Sequence, residues 1–208
     1  MLSPSAWIFS SIIVASAWGG SAAYAAEALP RAGRQPLSDL PITARIKVPP
    51  GPAWLETGFG SLWVTQINST EVLRIDPDTN KVIATIRVGS KPELGTGMGL
   101  GYVRIADTKD KSIERIDPNT NQVAATVNVG VRGEGTGLSI GENYVWISAE
   151  GIPLSQIDPR TNRLGRQFAG GKRDDPLRVG FGSAWIVDEP HGEIWRVDLA
   201  RLEELPSL

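Results

Sequence analysis

One seven-residue phrase recurs in this chain at a nearly fixed interval. It reads RIDPDTN at 74–80, RIDPNTN at 115–121 and QIDPRTN at 156–162, with a fainter RVDLARL from Arg196. Its apolar second position falls at Ile75, Ile116, Ile157 and Val197, in steps of 41, 41 and 40 residues. A second landmark keeps the same period. Leu62-Trp63-Val64, Val103-Arg104-Ile105, Val145-Trp146-Ile147 and Ala184-Trp185-Ile186 are spaced by 41, 42 and 39 residues. A period near 40 makes each unit one supersecondary element, which must stack on its neighbours to bury its apolar face.

The residues after the phrase define the local structure. Val82, Ala84, Ile86 and Val88 alternate with polar or small neighbours, and Val123, Ala125, Val127 and Val129 do the same in the next unit. Period two over eight residues is a β-strand with one buried face. Leu164, Arg166 and Phe168 form a degraded copy, and Ile42, Ala44, Ile46 and Val48 form another ahead of the first full unit. Each unit reads as four short strands, a to d, at about 53–57, 60–66, 71–76 and 81–88 in the first unit. Four strands in about 40 residues is the pattern of a β-propeller blade. The expected fold is all-β: a propeller of four-stranded antiparallel blades over 42–199, four in number. The last unit ends after its c strand near 193–198. The displaced d strand at 42–48 is expected to close that blade and remove the open edge. The alternative is a larger ring completed by a second chain.

Composition limits the chemistry. The chain has 208 residues, 41% of them hydrophobic, and a net charge of -2, which gives no reason to expect nucleic acid as a partner. Its 23 Gly and 15 Pro favour turns. With no cysteine there is no disulfide, thiolate nucleophile or Cys-ligated zinc, and with one histidine, His191, no multi-His metal site. Residues 7–18, WIFSSIIVASAW, are an apolar run followed by the A-x-A site Ala23-Tyr24-Ala25. This predicts a signal peptide over 1–25 and a periplasmic or secreted protein. An uncleaved anchor is the alternative, although the run is short for a bilayer span. Residues 26–41 read as a flexible leader and 200–208 as a tail.

In D-P-x-T-N, Asp suits the first turn position because its carboxylate accepts backbone N–H groups, and Pro presets φ at the second. Asn tolerates the left-handed conformation that leads into strand d. A calcium reading of Asp76, Asp78 and Asn80 fails at Lys81 and Arg87, where an EF-hand loop needs Gly and Glu. The phrase is therefore expected to be a c–d hairpin. Hairpin topology puts a–b and c–d turns on one face and b–c and d–a loops on the other. The second face carries the variable segments: 91–93, 132–134 and 172–175 between blades, and 68–70, 109–110, 150–152 and 188–191 within them. Variable loops on a repetitive scaffold are the usual seat of binding. Ligand-binding candidates are accordingly Lys91, Arg132, Glu150, Asp188 and His191, together with Arg104. Arg104 stands where other units place Trp and reads either as an inward-facing anion ligand or as a salt-bridged divergence, for instance to Asp107. VDEPHGE, 187–193, carries Asp188, Glu189, His191 and Glu193 and reads first as a polar b–c turn shaped by Pro190 and Gly192; the alternative is a divalent metal such as Mg or Ca at Asp188 and His191, or an acid–base pair of Glu189 and His191. No other cofactor is expected. The segments LGTGMG, 94–99, and GTGLSIG, 135–141, match no nucleotide fingerprint and suit close strand approach. Trp54, Trp63, Trp146, Trp185 and Trp195 read as packing residues.

Trp63-Val64-Thr65-Gln66, RIDPDTNKVIATIRVG at 74–89 and RIDPNTNQVAATVNVG at 115–130 resemble the YVTN β-propeller repeats of secreted or cell-surface prokaryotic proteins. The resemblance spans about 42–199 and implies a propeller of undefined activity. A lyase group that opens streptogramin antibiotics shares that architecture. The expected function is a binding or scaffold module for a protein, glycan or small ligand on the b–c/d–a face. The alternatives are a metal-assisted lyase or hydrolase using Glu189 and His191, and a part of an oligomeric ring.

Overall fold

The computed structural model describes residues 35–203, apart from 91, 108, 131–136, 150 and 171–175. The chain divides into two compact units, 1–43 and 44–208. The described part of the first holds a single 3-10 turn, Leu37–Asp39, with no buried residue.

The second unit is built of antiparallel sheets. β1 (Pro52–Gly58), β2 (Ser61–Gln66), β3 (Glu71–Asp76) and β4 (Lys81–Arg87) form the first in simple order. β5 (Pro92–Gly99), β6 (Tyr102–Asp107), β7 (Ser112–Asp117) and β8 (Gln122–Asn128) form the second. β9 (Leu138–Gly141), β10 (Tyr144–Ala149), β11 (Ile152–Asp158) and β12 (Arg163–Phe168) form the third. The fourth has β13 (Leu177–Gly180), β14 (Ser183–Asp188) and β15 (Glu193–Asp198), and the short helix α1 (Leu199–Glu203) follows. These are the propeller blades expected from the repeat. Among the described residues no helix is long and apolar enough to cross a membrane.

Period-two patterning gives each blade two apolar faces, and the blades pack face to face. The forward face of blade 1, with Trp63, Val72, Ile86 and Val88, packs on the backward face of blade 2, with Val103, Ile105 and Ile116. Ala106, Ile113, Val127 and Val129 of blade 2 meet Leu138, Val145, Ile147 and Ile157 of blade 3. Trp146 and Leu154 of blade 3 meet Leu177, Ala184 and Ile186 of blade 4, joined by Leu199 and Leu202 from α1. Burying one such aliphatic side chain contributes roughly 1.5–3 kcal/mol. The innermost strands β1, β5, β9 and β13 pack successively on one another. Their glycines allow this. A Cβ on Gly97 would overlap Leu138, and one on Gly141 would lie 2.9 Å from Val179 Cγ1.

The turns follow their residues. Phe59-Gly60, Leu100-Gly101, Glu142-Asn143 and Phe181-Gly182 all have positive φ at both positions, the geometry of two-residue type I′ hairpins between strands a and b. In the repeated c–d turns, Asp76, Asp117 and Asp158 Oδ1 each accept, at 2.8 Å, the backbone N–H two residues on. Asn80, Asn121 and Asn162 sit at φ 56°, 57° and 56°.

The N-terminal strand differs from expectation. Residues 41–49 form no strand, and the fourth sheet keeps three strands among the described residues. Ile46 and Val48 instead bury against Leu62, Val64, Leu73 and Ile75 of blade 1. This is the place that Ile86 and Val88 take on blade 2, so the segment sits as a preceding blade's d strand would. Apolar burial against blade 1 fixes the segment, while β15 forms no ladder with it.

Candidate functional site

The first residue of the repeated phrase has a role of its own. Arg74, on β3, donates from Nε to Ser61 Oγ at 2.8 Å, and its guanidinium lies 5.0 Å from the Trp63 ring centroid. Thus aligned, its Nη1 crosses to blade 2 and donates to Pro118 O and to Asn121 Oδ1, the latter at 2.8 Å. Arg115 repeats the contact, with Nη1 donating to Pro159 O at 3.3 Å and Asn162 Oδ1 at 3.1 Å of blade 3. The arginine of one phrase therefore clamps the turn of the next. Planar, charged and long, it is suited to fork between two acceptors.

Between blades 3 and 4 both halves of the clamp are absent. Gln156 replaces Arg, and Leu199-Ala200 begins a helix where Pro and its turn would stand. A cavity of about 220 Å³ opens there, lined by Glu142, Asn143, Tyr144, Trp146, Gln156, Gly182, Leu199 and Ala200. Its walls are fixed. Trp146 Nε1 donates to Gly141 O at 3.0 Å, Tyr144 packs edge-on to Trp146 at 5.8 Å, and Gly182 N donates to Glu142 Oε1 at 3.1 Å. One carboxylate, two side-chain amides and an aromatic edge make a small polar site. It lies among a–b and c–d turns, on the side where the sequence did not point to function. The substitution of Gln156 for Arg was the available signal.

Arg104 is 3% exposed on the forward face of blade 2. Its Nη1 donates to Gly99 O at 2.9 Å. Trp63, Trp146 and Trp185 use the equivalent carbonyls of Gly58, Gly141 and Gly180, so Arg104 reproduces the indole bond. Its Nη2 has no hydrogen-bond partner among the described residues, nor does Arg115 Nε. Burial, and then the charge of Arg115, push the Arg104 pKa down to about 10. Tyr102 carries the two cations on its ring, at 5.7 Å and 4.2 Å from its centroid. Among the described residues Arg104 makes no salt bridge to Asp107, whose Oδ1 accepts the Asp110 N–H.

Asp188 ends β14, buried, and Oδ2 lies 2.8 Å from Nδ1 of His191 in the 3-10 turn Glu189–His191. The hydrogen bond and charge of Asp188 raise the His191 pKa. Glu189 is exposed. Asp188 and His191 thus meet within a turn capped by Gly192 at φ 66°. No group of three or more His, Cys, Asp or Glu side chains suited to a metal ion occurs among the described residues. Lys91, Arg132 and Glu150 lie outside the described residues, as does the signal segment. At Asp76 the carboxylate is taken by the turn, with Asp78 N and Thr79 Oγ1 donating to it, and those bonds hold its pKa below the usual carboxylate value.

No protein-family model matches the chain, and no curated protein sequence does. Solved structures match its fold. The WD40 domain of Neurospora crassa Pan2 is 12% identical, with a TM-score of 0.56 over 72% of this chain and 49% of that one. Kuenenia stuttgartiensis hydrazine synthase is 16% identical, with a TM-score of 0.55 over 75% and 52%. The computationally designed Ika4 protein is 14% identical, with a TM-score of 0.62 over 74% and 96%. The chain spans about half the length of the first two.

Proposed function

We propose that this chain is a non-catalytic binding module, and that the cavity between blades 3 and 4 takes a small, neutral, hydroxylated ligand such as a single sugar ring, free or at the end of a glycan. The observation that carries the reading is the cavity itself, which opens where the Arg clamp of the other junctions is replaced by Gln156. Its volume of about 220 Å³ is below the roughly 300–1,000 Å³ of drug-sized pockets, which favours one ring. Amides at Asn143 and Gln156 and the carboxylate of Glu142 offer donors and acceptors to hydroxyls, and Tyr144 offers an aromatic edge. The carboxylate disfavours an anion. The signal-like N-terminus fits a role in the periplasm or outside the cell.

The test is thermal unfolding with a panel of monosaccharides at millimolar concentration, run on the chain and on Gln156→Arg. A sugar that raises Tm for the native chain and not for Gln156→Arg is the expected result. No shift across the panel, or equal shifts in both proteins, would reject the reading. A second reading, a metal-assisted lyase, is favoured only by the 2.8 Å contact of His191 with Asp188. It requires a divalent ion bound by the purified protein and lost in His191→Ala.

A further inference from the structure

The two ends of the blade series are unfinished in complementary ways. On β15, Ile194 is 70% exposed, whereas the equivalent Val72, Ile113 and Leu154 are 0%, 1% and 2% exposed under the next blade. On β1, Leu55 is 59% exposed, whereas the equivalent Leu138 and Leu177 are 5% and 0% exposed under the preceding blade. The same chain therefore presents an uncovered forward face at blade 4, and at blade 1 a backward face that the 44–48 segment covers over Val64, Leu73 and Ile75 but leaves bare at Leu55 of the inner strand. The fourth sheet has no outer strand among the described residues, and the 44–48 segment lies on blade 1 where a preceding blade's outer strand belongs.

The clamp shows what is to meet there. Arg196 Nε donates to Ser183 Oγ at 2.9 Å and its guanidinium lies 5.2 Å from the Trp185 centroid, the posture Arg74 adopts at 2.8 Å and 5.0 Å. Arg74 uses that posture to reach a D-P-x-T-N turn on the next blade. The terminal nitrogens of Arg196 make no hydrogen bond among the described residues. The sequence keeps the pairing as well: Arg74 and Arg115 precede units with D-P-x-T-N, and Gln156 precedes the unit without it. Arg196 implies a following D-P-x-T-N turn. The turn whose Asn no arginine clamps is that of blade 1, with Pro77 and Asn80 exposed.

We propose that two copies of this chain join head to tail into one ring, the forward face of blade 4 of each receiving blade 1 and the 44–48 segment of the other. Arg196 then donates to Pro77 O and Asn80 Oδ1 of the second copy, and the 44–48 segment pairs with the free edge of β15. The junction repeats the blade 1–2 and 2–3 junctions in faces, strand order and clamp. A heterologous contact closes when its rotation returns to the start, and two copies of four blades reach eight, the upper end of propeller rings, whereas three would exceed it. The match to about half of two longer chains, one of them a WD40 domain, is what a sector of a larger ring gives.

Light scattering on the full chain at tens of micromolar tests this. Twice the chain mass is the expected result. Ile194→Glu sits on a surface exposed in the single chain and leaves its fold intact, checked by far-UV circular dichroism, yet lowers the mass to one chain. Arg196→Gln, which copies Gln156, is expected to weaken association at least tenfold. A native mass of one chain, as closure of the four blades on themselves would give, overturns the proposal. So does a ladder of larger species, or a dimer unaffected by both substitutions.

Discussion

Removing Arg74 tests the clamp directly. Arg74→Ala deletes two bonds into blade 2, to Pro118 O and Asn121 Oδ1, and the stacking on Trp63. Charged hydrogen bonds contribute about 1.5–3 kcal/mol when buried, and part exposure here argues for about 1 kcal/mol each. Cation–π stacking adds about 0.5–1 kcal/mol. The expected loss is about 3 kcal/mol, read as a lower urea midpoint at unchanged slope, or as a fall in Tm of roughly 6–12 °C for a domain of this size. Arg163→Ala, on an exposed position of β12, serves as control and is expected to stay within about 0.5 kcal/mol. Asn121→Gly keeps the left-handed turn while removing the acceptor, so the double variant isolates the pair. A coupling of about 1 kcal/mol is expected between Arg74→Ala and Asn121→Gly. Strict additivity, or a loss below about 1 kcal/mol for Arg74→Ala, would refute the clamp.

Two further outcomes follow from the titratable groups. His191, followed by NMR, is expected to titrate above the ordinary value of about 6.5 and to return toward it in Asp188→Asn. Because its folded pKa is raised, its contribution to stability is full below about pH 6.5 and is lost as pH rises through the folded value; an unshifted midpoint would break the pairing. Arg104→Trp is expected to raise Tm, since the indole can donate to Gly99 O as its equivalents do while removing a buried cation beside Arg115. A lower Tm would mean that Arg104 holds something an indole cannot, and would revive the anion-ligand reading.

The period, the strand positions and the D-P-x-T-N turns were legible because each rests on local chemistry: alternation for the strands, Asp, Pro and Asn for the turns. Arg74 was visible in the phrase but not its reach, since its acceptors lie 44 and 47 residues on. The cavity was hidden for the same reason. Gln156 reads as a conservative polar exchange until the partner it lacks is known. The apolar alternation of Ile46 and Val48 correctly foretold burial but not pairing, because alternation specifies which side chains turn inward and leaves open which backbone edge lies beside them. Arg104 was legible as an anomaly, and only the shared glycine carbonyl showed how a guanidinium stands in for an indole.

Because each blade touches chiefly the next, cooperativity in this protein is a matter of neighbours rather than of one common core. Blade 2 is flanked on both sides and takes part in both arginine clamps, so its amides belong to the last region to exchange with solvent. Blade 4, joined on one side without a clamp, opens first. The terminal blade spends the most time ajar until something closes over it.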